Sequence, residues 1–396
     1  MGNKLTCLGF KCSGLHAGLK KNGLLDLGLI YSDTSAPVAG VFTRNKVQAA
    51  PVVFTKKLVY SGNKAQAIIV NSGNANCATG PQGHADAAEM AAAAASLLDI
   101  APEDVLVAST GVIGEPLPIK KIEGALPHLV DTLSDDGWSD LAQAILTTDT
   151  VPKIVSQTVT IGMGPYSIIG IAKGSGMIRP DMATMLCFVC TDAGISQPRL
   201  QQALNQGTQR SFNRITVDGD TSTNDMVLLM ANGRSGIDLD SEGALTTFQQ
   251  SLNDVLLQLA KAVVKDGEGA TKLVEINVSG ADTDASATAI ADTIANSNLV
   301  KTALFGEDAN WGRIMAAAGR AGVPLDPEKV DIAFNNVWMV KKGQGLGSTA
   351  EQAATQILKK DEFNIHLHLH LGSGSAFAIT CDFSYDYVKI NADYRS

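Results

Sequence analysis

The apolar run Met185-Leu186-Cys187-Phe188-Val189-Cys190 limits the folds open to this chain more than any other segment. Read as a strand over residues 184–191, it sends successive side chains to opposite faces. Leu186, Phe188 and Cys190 share one face and Met185, Cys187 and Val189 the other, so both faces are apolar. Such a strand is buried on both sides, and the sheet that holds it needs layers above and below. The expected class is α+β: a layered α/β sandwich with two central, mostly buried sheets flanked by helices.

The flanking segments fit that class. A helix is expected over 85–98, where Ala-Glu-Met-Ala-Ala-Ala-Ala-Ala contains no Gly or Pro and leaves an alanine surface for close packing on a sheet. Short β-rich runs lie at 65–71 and 105–109, and 155–162 with 166–173 reads as a hairpin turned by Met163-Gly164-Pro165. Helices over 197–212 and 243–266 follow. Strand-like runs return at 274–279, 330–334, 363–371 and 376–383, which suggests a smaller C-terminal α/β subdomain from about residue 280. No Pro/Gly/Ser-rich linker marks its edge. The 396 residues suffice for two or three domain-sized units or one large layered one.

Bulk properties exclude several classes of partner. With 45% hydrophobic and 18% charged residues the chain can bury large cores. Its net charge is −9, and no basic run exceeds Lys20-Lys21 or Lys56-Lys57, so neither nucleic acid nor an anionic membrane is an expected partner. No apolar run approaches the ~20 residues of a membrane span, and the N-terminus lacks the apolar core of a signal peptide. Met1-Gly2-Asn3-Lys4-Leu5-Thr6 fits the myristoylation pattern, a pattern short enough to recur by chance. A cytoplasmic location is expected. The six cysteines are scattered and form no disulfide framework. Cys187 and Cys190 make a C-x-x-C, yet on a strand they point to opposite faces and read as small buried hydrophobes.

The two-faced strand is entered through Lys173-Gly174-Ser175-Gly176-Met177-Ile178-Arg179-Pro180-Asp181-Met182-Ala183-Thr184. This glycine-rich polar loop meets the apolar segment at an Ala-Thr junction. A threonine hydroxyl is a poor nucleophile without a base to take its proton. Cutting the chain before the threonine frees an α-amino group that can be that base. Such an amine titrates near pH ~8, which suits a general base. Self-cleavage at Ala183-Thr184 would leave an N-terminal piece, 1–183, and a C-terminal piece, 184–396, that begins with the nucleophile.

Blocks spread along almost the whole chain extend this picture. They are Asn71-Ser72-Gly73-Asn74-Ala75-Asn76, Ser109-Thr110-Gly111-Val112-Ile113-Gly114, Thr147-Thr148-Asp149-Thr150 with Pro152-Lys153, and the junction loop itself. Further on come Asp266-Gly267-Glu268-Gly269-Ala270-Thr271-Lys272, Gly306-Glu307-Asp308-Ala309-Asn310-Trp311-Gly312-Arg313 and the terminal Asn391-Ala392-Asp393-Tyr394-Arg395-Ser396. In content and order they closely resemble the ornithine acetyltransferase family of arginine biosynthesis, also called glutamate N-acetyltransferase.

The resemblance implies a double displacement. Thr184 takes the acetyl group of N2-acetylornithine, releases ornithine, and passes the group to glutamate, a ping-pong sequence. Both acetylated amino acids carry the acetylated nitrogen beside a carboxylate, so one pocket serves both. No cofactor is implied, although some family members accept acetyl-CoA as a second co-substrate, and no residue pattern here decides that point. The family pairs its pieces into a heterotetramer of two alpha and two beta chains or into larger assemblies.

Site residues follow in the same way. Read alone, the loop of Thr110 and Gly111 is a candidate oxyanion hole, since glycine lets backbone N–H groups approach a charge and the hydroxyl adds a donor. In the family the matching Thr110 and Gly111 form that hole. Lys173, eleven residues before Thr184, would by itself be an ordinary exposed lysine, whereas the resemblance makes it a substrate contact suited to a carboxylate. The Thr147-Thr148-Asp149-Thr150 cluster alone reads as a capped turn. The resemblance makes one of its threonines a substrate contact; Thr147 is favoured, with Thr148 and Thr150 open. Glu268 reads alone as a solvated acid after a helix, and by resemblance as a contact for the substrate amino group. Asn391 and Ser396 match the last two substrate-binding positions, Ser396 standing where the family commonly has Thr. Arg179 and Asp181 flank the junction loop and are assigned no role firmer than stiffening it for self-cleavage, and residues 306–313 have no assigned chemistry.

Two other reaction classes compete. A self-cleaving aminopeptidase or amidase would use the same nucleophile with water in place of glutamate. A non-enzymatic binding protein would use the glycine loops to cradle a small anion, and would stay one chain. His366, His368 and His370 alternate with leucines along an expected strand and so share one face. Two of them can chelate a metal, but no acid or cysteine follows the pattern, and an exposed polar face is the plainer account. No metal is expected, and no nucleotide-binding glycine motif is present.

Overall fold

The computed structural model describes residues 5–21, 23–179 and 185–393. The Ala183-Thr184 junction, Asp181 and Ser396 therefore lie outside the described residues. The chain forms two compact units, Met1–Asn213 with Asp220–Val263, and Arg214–Gly219 with Val264–Arg395.

The first unit opens with strands β1 (Phe10–Leu15), β2 (Leu27–Ala36) and β3 (Val38–Phe42), then helix α1 (Ala50–Tyr60), β4 (Ala65–Asn74), α2 (Gly80–Leu98) and β5 (Val105–Val112). Helices α3 (Ile119–Asp131) and α4 (Trp138–Ala144) lead to β6 (Lys153–Ile161), β7 (Gly164–Lys173), β8 (Leu186–Thr191) and α5 (Gln197–Gln209). The two-residue β9 (Ile215–Thr216) pairs within the second unit, and β10 (Met226–Ala231) and α6 (Glu242–Lys265) follow. One sheet has the order β1-β2-β4-β5 and the other β3-β10-β8-β7-β6.

Alternation along the strands builds four layers. Ile30, Ile68, Val70 and Leu106 of the first sheet share a core with Ile169, Ile171, Leu186, Phe188, Cys190, Leu228 and Met230 of the second. The opposite face of the first sheet, with Leu27, Leu29, Ile69 and Val107, packs on Met90, Ala91 and Ala94 of α2 and on Ile122, Leu126 and Leu129 of α3. On the outer face of the second sheet, a Cβ at Gly170 would stand 2.7 Å from Leu259 and 3.2 Å from Val255 of α6. Helix α6 presents Phe248, Leu252, Val255, Leu256 and Leu259 as a buried stripe at helical spacing. Every residue of β8 is buried, as a strand with two apolar faces requires. The layered sandwich read from that strand is the fold observed.

One local expectation is corrected. The β6–β7 hairpin turns at Gly162-Met163, with Ile161 opposite Gly164 and Pro165 paired with Thr160 inside β7. Gly164, at φ +125°, follows that turn in a conformation that favours glycine. The pairing of β8 with β7 starts only at Ile168, so the missing N–H of Pro165 costs no ladder bond on that side.

The second unit holds β11 (Leu273–Ala281), α7 (Asp284–Ala295), α8 (Asn298–Phe305), α9 (Trp311–Gly319), β12 (Asp331–Phe334), β13 (Val337–Lys341) and β14 (Gln344–Gly345). It ends with α10 (Ser348–Leu358), β15 (Glu362–His368), β16 (Gly374–Cys381) and α11 (Tyr385–Asp393). Its sheet runs β14-β13-β12-β15-β11-β16-β9. Val274, Ile276 and Val278 of β11 and Ile365 and Leu367 of β15 pack on Ile290 and Ile294 of α7, Ile314 of α9 and Leu358 of α10.

Candidate active site

The parallel strands β4 and β5 end side by side, with Ser72 opposite Thr110 and Gly73 opposite Gly111. Gly111 has φ +132°, and a Cβ there would lie 2.4 Å from the Gly73 carbonyl carbon. Only glycine fits, because any side chain would collide with backbone. Thr110 and Gly111 are half-buried at this edge. Beneath them the amides are locked: Ser109 Oγ donates to Asn71 Oδ1 (2.5 Å), and Asn71 Nδ2 to the Asn74 carbonyl (2.9 Å). Asn224 Nδ2 donates to the carbonyls of Ser109 (2.8 Å) and Ala75 (2.7 Å). Fixed strand ends of this kind hold N–H groups in place without reorganisation, which is what stabilisation of an oxyanion requires.

Lys173 closes β7 and is only 7% exposed, so it is not the ordinary surface lysine its isolation in the sequence suggests. Its ammonium donates to Thr147 Oγ1 at 2.7 Å and stands 3.7 Å from the Asp149 carboxylate. Asp149 is the organiser. It accepts from Lys153 Nζ at 2.8 Å, from Gly174 N at 2.6 Å and from Thr147 N at 3.0 Å. Burial would raise its titration, but Lys173 and Lys153 outweigh burial and hold it well below the usual carboxylate range. Among the three candidate threonines, Thr147 meets Lys173, while the Thr148 hydroxyl bonds Ser175 Oγ at 2.8 Å.

The structure adds Lys20, which in the sequence is only half of a dibasic pair. Its stem lies against Gly73, where a Cβ would stand 3.1 Å from Lys20 Cγ. Its ammonium donates to the Leu25 carbonyl at 2.7 Å, and the Ala144 carbonyl lies at 3.4 Å. Burial lowers its titration to about 8, with Asp26 pulling the other way and Lys173 adding to the drop. Asp26, fully buried, accepts from the N–H groups of Ala17, Leu19 and Lys20 and so shapes that turn. Lys20, Lys153 and Lys173 outnumber Asp26 and Asp149 in this cluster. The surplus positive charge suits a ligand carboxylate.

In the second unit Glu268 is 9% exposed and accepts from Asn391 Nδ2 at 2.7 Å, so it is not the solvated acid read from its flanking glycines. Asn391 also donates to the Tyr387 carbonyl at 3.0 Å. Gly269, at φ +68°, packs so closely that a Cβ would stand 2.5 Å from Tyr387 N. Residues 306–313 are held by local contacts. Glu307 accepts from Lys272 at 3.2 Å, Asn310 caps α9 by accepting from Arg313 N, and Arg313 donates to the Leu299 carbonyl at 2.8 Å.

The histidine expectation needs correcting. Strand β15 ends at His368 and His370 adopts φ +55°, so only His366 and His368 lie on the strand, although the His370 ring stands 4.1 Å from that of His368. An acid is also present, since His370 Nε2 lies 3.0 Å from Asp331 Oδ2, an acid brought by a neighbouring strand. Among the described residues no group of three or more His, Cys, Asp or Glu is arranged to hold a metal.

Rigid N–H groups suited to an oxyanion and buried cations suited to a carboxylate fit an acyltransferase that acts on amino acids. The chain belongs to the ArgJ family, whose model matches residues 11–396. It is 50% identical over 390 residues to the arginine biosynthesis bifunctional protein ArgJ of Geobacter sulfurreducens, covering 98% of this chain and 99% of the relative. The protein of the same name from Desulfotalea psychrophila is 51% identical over 391 residues, with 98% and 99% covered. The solved structure of the ArgJ protein from Bacillus halodurans is similar at 45% identity and a TM-score of 0.50, covering 52% of this chain and 98% of that one.

Proposed function

We propose that this enzyme moves the acetyl group of N2-acetylornithine to glutamate through an acetyl-threonine on Thr184, after cutting itself between Ala183 and Thr184. The observation that carries the reading is the buried Lys173–Thr147–Asp149 cluster at the end of β7, on the chain segment that leads to the junction. A cation so deep, with a hydroxyl beside it, fits the carboxylate that both substrates carry next to the acetylated nitrogen.

The Thr184 amine takes the hydroxyl proton, and the oxygen attacks the acetyl carbonyl. The oxyanion is received by Thr110 and the Gly111 N–H. Collapse breaks the C–N bond, and the departing ornithine nitrogen takes the proton from the ammonium. Glutamate then reverses these steps with its own amino group. Glu268 and Asn391 in the second unit, and Ser396, are further proposed substrate contacts, each judged by its own variant. Acetyl-CoA as a second acetyl donor fits the word bifunctional in the relatives' names. Assembly as two alpha and two beta chains or a larger form belongs to the same proposal, as does a cytoplasmic location. No helix among the described residues is long and apolar enough to cross a membrane.

Mass analysis of purified protein tests this directly. Pieces of 183 and 213 residues are expected from the wild-type chain and one uncut polypeptide from Thr184→Ala. Acetylornithine and glutamate should give parallel double-reciprocal plots. Ornithine release at full rate without glutamate would instead identify a hydrolase.

A further inference from the structure

The loop between β3 and α1 is braced from within. Asn45 turns inward, its Nδ2 donating to the Thr221 carbonyl at 3.1 Å and its Oδ1 accepting from Val47 N at 2.9 Å. Thr43 Oγ1 donates to the Ser222 carbonyl at 2.8 Å, and Gln48 Nε2 donates to the Thr43 carbonyl at 2.8 Å. Ala49 N closes the loop on the Thr223 carbonyl at 3.0 Å. With its polar groups so engaged the loop holds one course, and the residues on either side of Asn45, Arg44 and Lys46, are exposed.

This loop is one wall of a cleft of about 740 Å³ that lies wholly within the first unit. Helix α1 is the second wall, where Lys56 and Tyr60 stand one turn apart and so share a face. The Tyr60 ring is 60% exposed and set edge-on against Phe42, with centroids 5.7 Å apart and an interplanar angle of 87°. The Lys56 ammonium lies 5.9 Å from the same ring. Helix α5 is the third wall. Gln201 exchanges two hydrogen bonds of 3.1 Å with the Gly40 backbone, which docks α5 on β3, and the following turns bring Asn205 and Gln209 to the cleft.

In a chain of net charge −9, this cleft is lined by Arg44, Lys46 and Lys56 and by no Asp or Glu. Such a lining calls for a polyanion. An amino acid fits badly, since its ammonium would need a carboxylate and its small bulk would leave most of the volume empty. A nucleic-acid strand fits badly too, because the negative charge of the whole chain repels an extended polyanion. A small polyphosphate ester meets the lining. Arg44 offers a planar fork to phosphate oxygens, and the two lysines add point charges. Tyr60 offers a ring for a flat base to stack on, and the amides of Asn205 and Gln209 offer donors and acceptors for the edge of that base. We propose that this cleft binds a nucleotide: a ligand that joins two or more phosphate groups to a heteroaromatic base. The cleft is assembled from three separate segments without a glycine loop, so no nucleotide motif marks it in the sequence. It shares no residue with the proposed acetyl-transfer site, and binding there stands or falls apart from that reaction.

Calorimetric titration of the whole purified protein with ADP, coenzyme A and inorganic phosphate tests this. ADP and coenzyme A share a base and a pyrophosphate, so saturable binding of both is expected, with inorganic phosphate weaker by about tenfold or more. ADP binding as tightly as coenzyme A or more so points to a free nucleotide as the natural ligand, and tighter coenzyme A to a nucleotide-tailed carrier; either supports the site. Arg44→Gln and Lys56→Gln should each weaken ADP by about tenfold. Lys57→Gln, next on α1 but outside the cleft, should leave it within about twofold. Tyr60→Leu should weaken ADP by about tenfold and leave inorganic pyrophosphate unchanged. The proposal is overturned if neither nucleotide binds saturably, if inorganic phosphate binds as tightly as ADP, or if Lys57→Gln costs as much as Lys56→Gln. Should the variants fail to fold, the wild type decides: photoactivated azido-ADP should label a peptide that carries Tyr60 or residues 44–48, and labelling elsewhere overturns the proposal.

Discussion

Asp149 is the residue on which the buried cations depend. Its side chain is fully buried and shared by Lys153 and Lys173, themselves almost fully buried. Asp149→Asn leaves two ammonium groups without their carboxylate, and breaking a buried pair in this way costs about 3–5 kcal/mol. A matching loss in the urea midpoint is expected, together with a raised KM for acetylornithine as Lys173 loses its position. The pH dependence follows from the sign of the shift. The folded titration of Asp149 lies below the unfolded value of about 3.9, so its stabilisation is complete above that value and is lost as pH falls through the folded one. Urea midpoints measured between pH 5 and 2 should fall more steeply for the wild type than for Asp149→Asn. Thr147 and Lys173 are legible in the sequence because each lies in a recognisable block. Lys20 is not, since burial depth leaves no mark on a lysine beside a lysine.

Among elements, the paired ends of β4 and β5 make the sharpest test. Gly111→Ala places a methyl 2.4 Å from the Gly73 carbonyl carbon and strains a φ of +132°. The strand ends must part, and loss of an oxyanion donor predicts a hundred- to thousandfold fall in kcat. Gly114→Ala is the control: it also has positive φ, yet nothing lies within 4 Å of the added carbon, so only a modest loss of stability is expected. On the other sheet, Gly170→Val would drive into Leu259 and Val255 and lift α6 from β7, destabilising by about 1–3 kcal/mol in urea unfolding. The layering is legible in β8 alone, because a strand with two apolar faces needs a cover on each. The hairpin turn is not, because Pro165 has the chemistry of a turn residue. Whether its missing N–H matters depends on where β8 stops, a fact about another strand. His370 is misread for a similar reason: the end of its strand is set by neighbouring strands.

For the whole molecule, the second sheet settles what a cut would do. Its order is β3-β10-β8-β7-β6, so β10 and β8, from after the junction, lie between β3 and β7, from before it. Neither piece of a cut chain owns a complete sheet or its shared core. The two pieces are therefore expected to elute together in native size exclusion and to separate only in denaturant; separation in native buffer would contradict this sheet. Local pattern by itself determined the two-faced strand, the layered class and the blocks that mark the family, because periodicity and residue chemistry are properties of neighbours in the chain. Only the tertiary structure decided that Lys173 is buried beside Thr147 and that Lys20 lies against Gly73 and reaches the Ala144 carbonyl. Those are contacts between residues tens to more than a hundred positions apart, and charge, depth and titration are set by what surrounds a group in space.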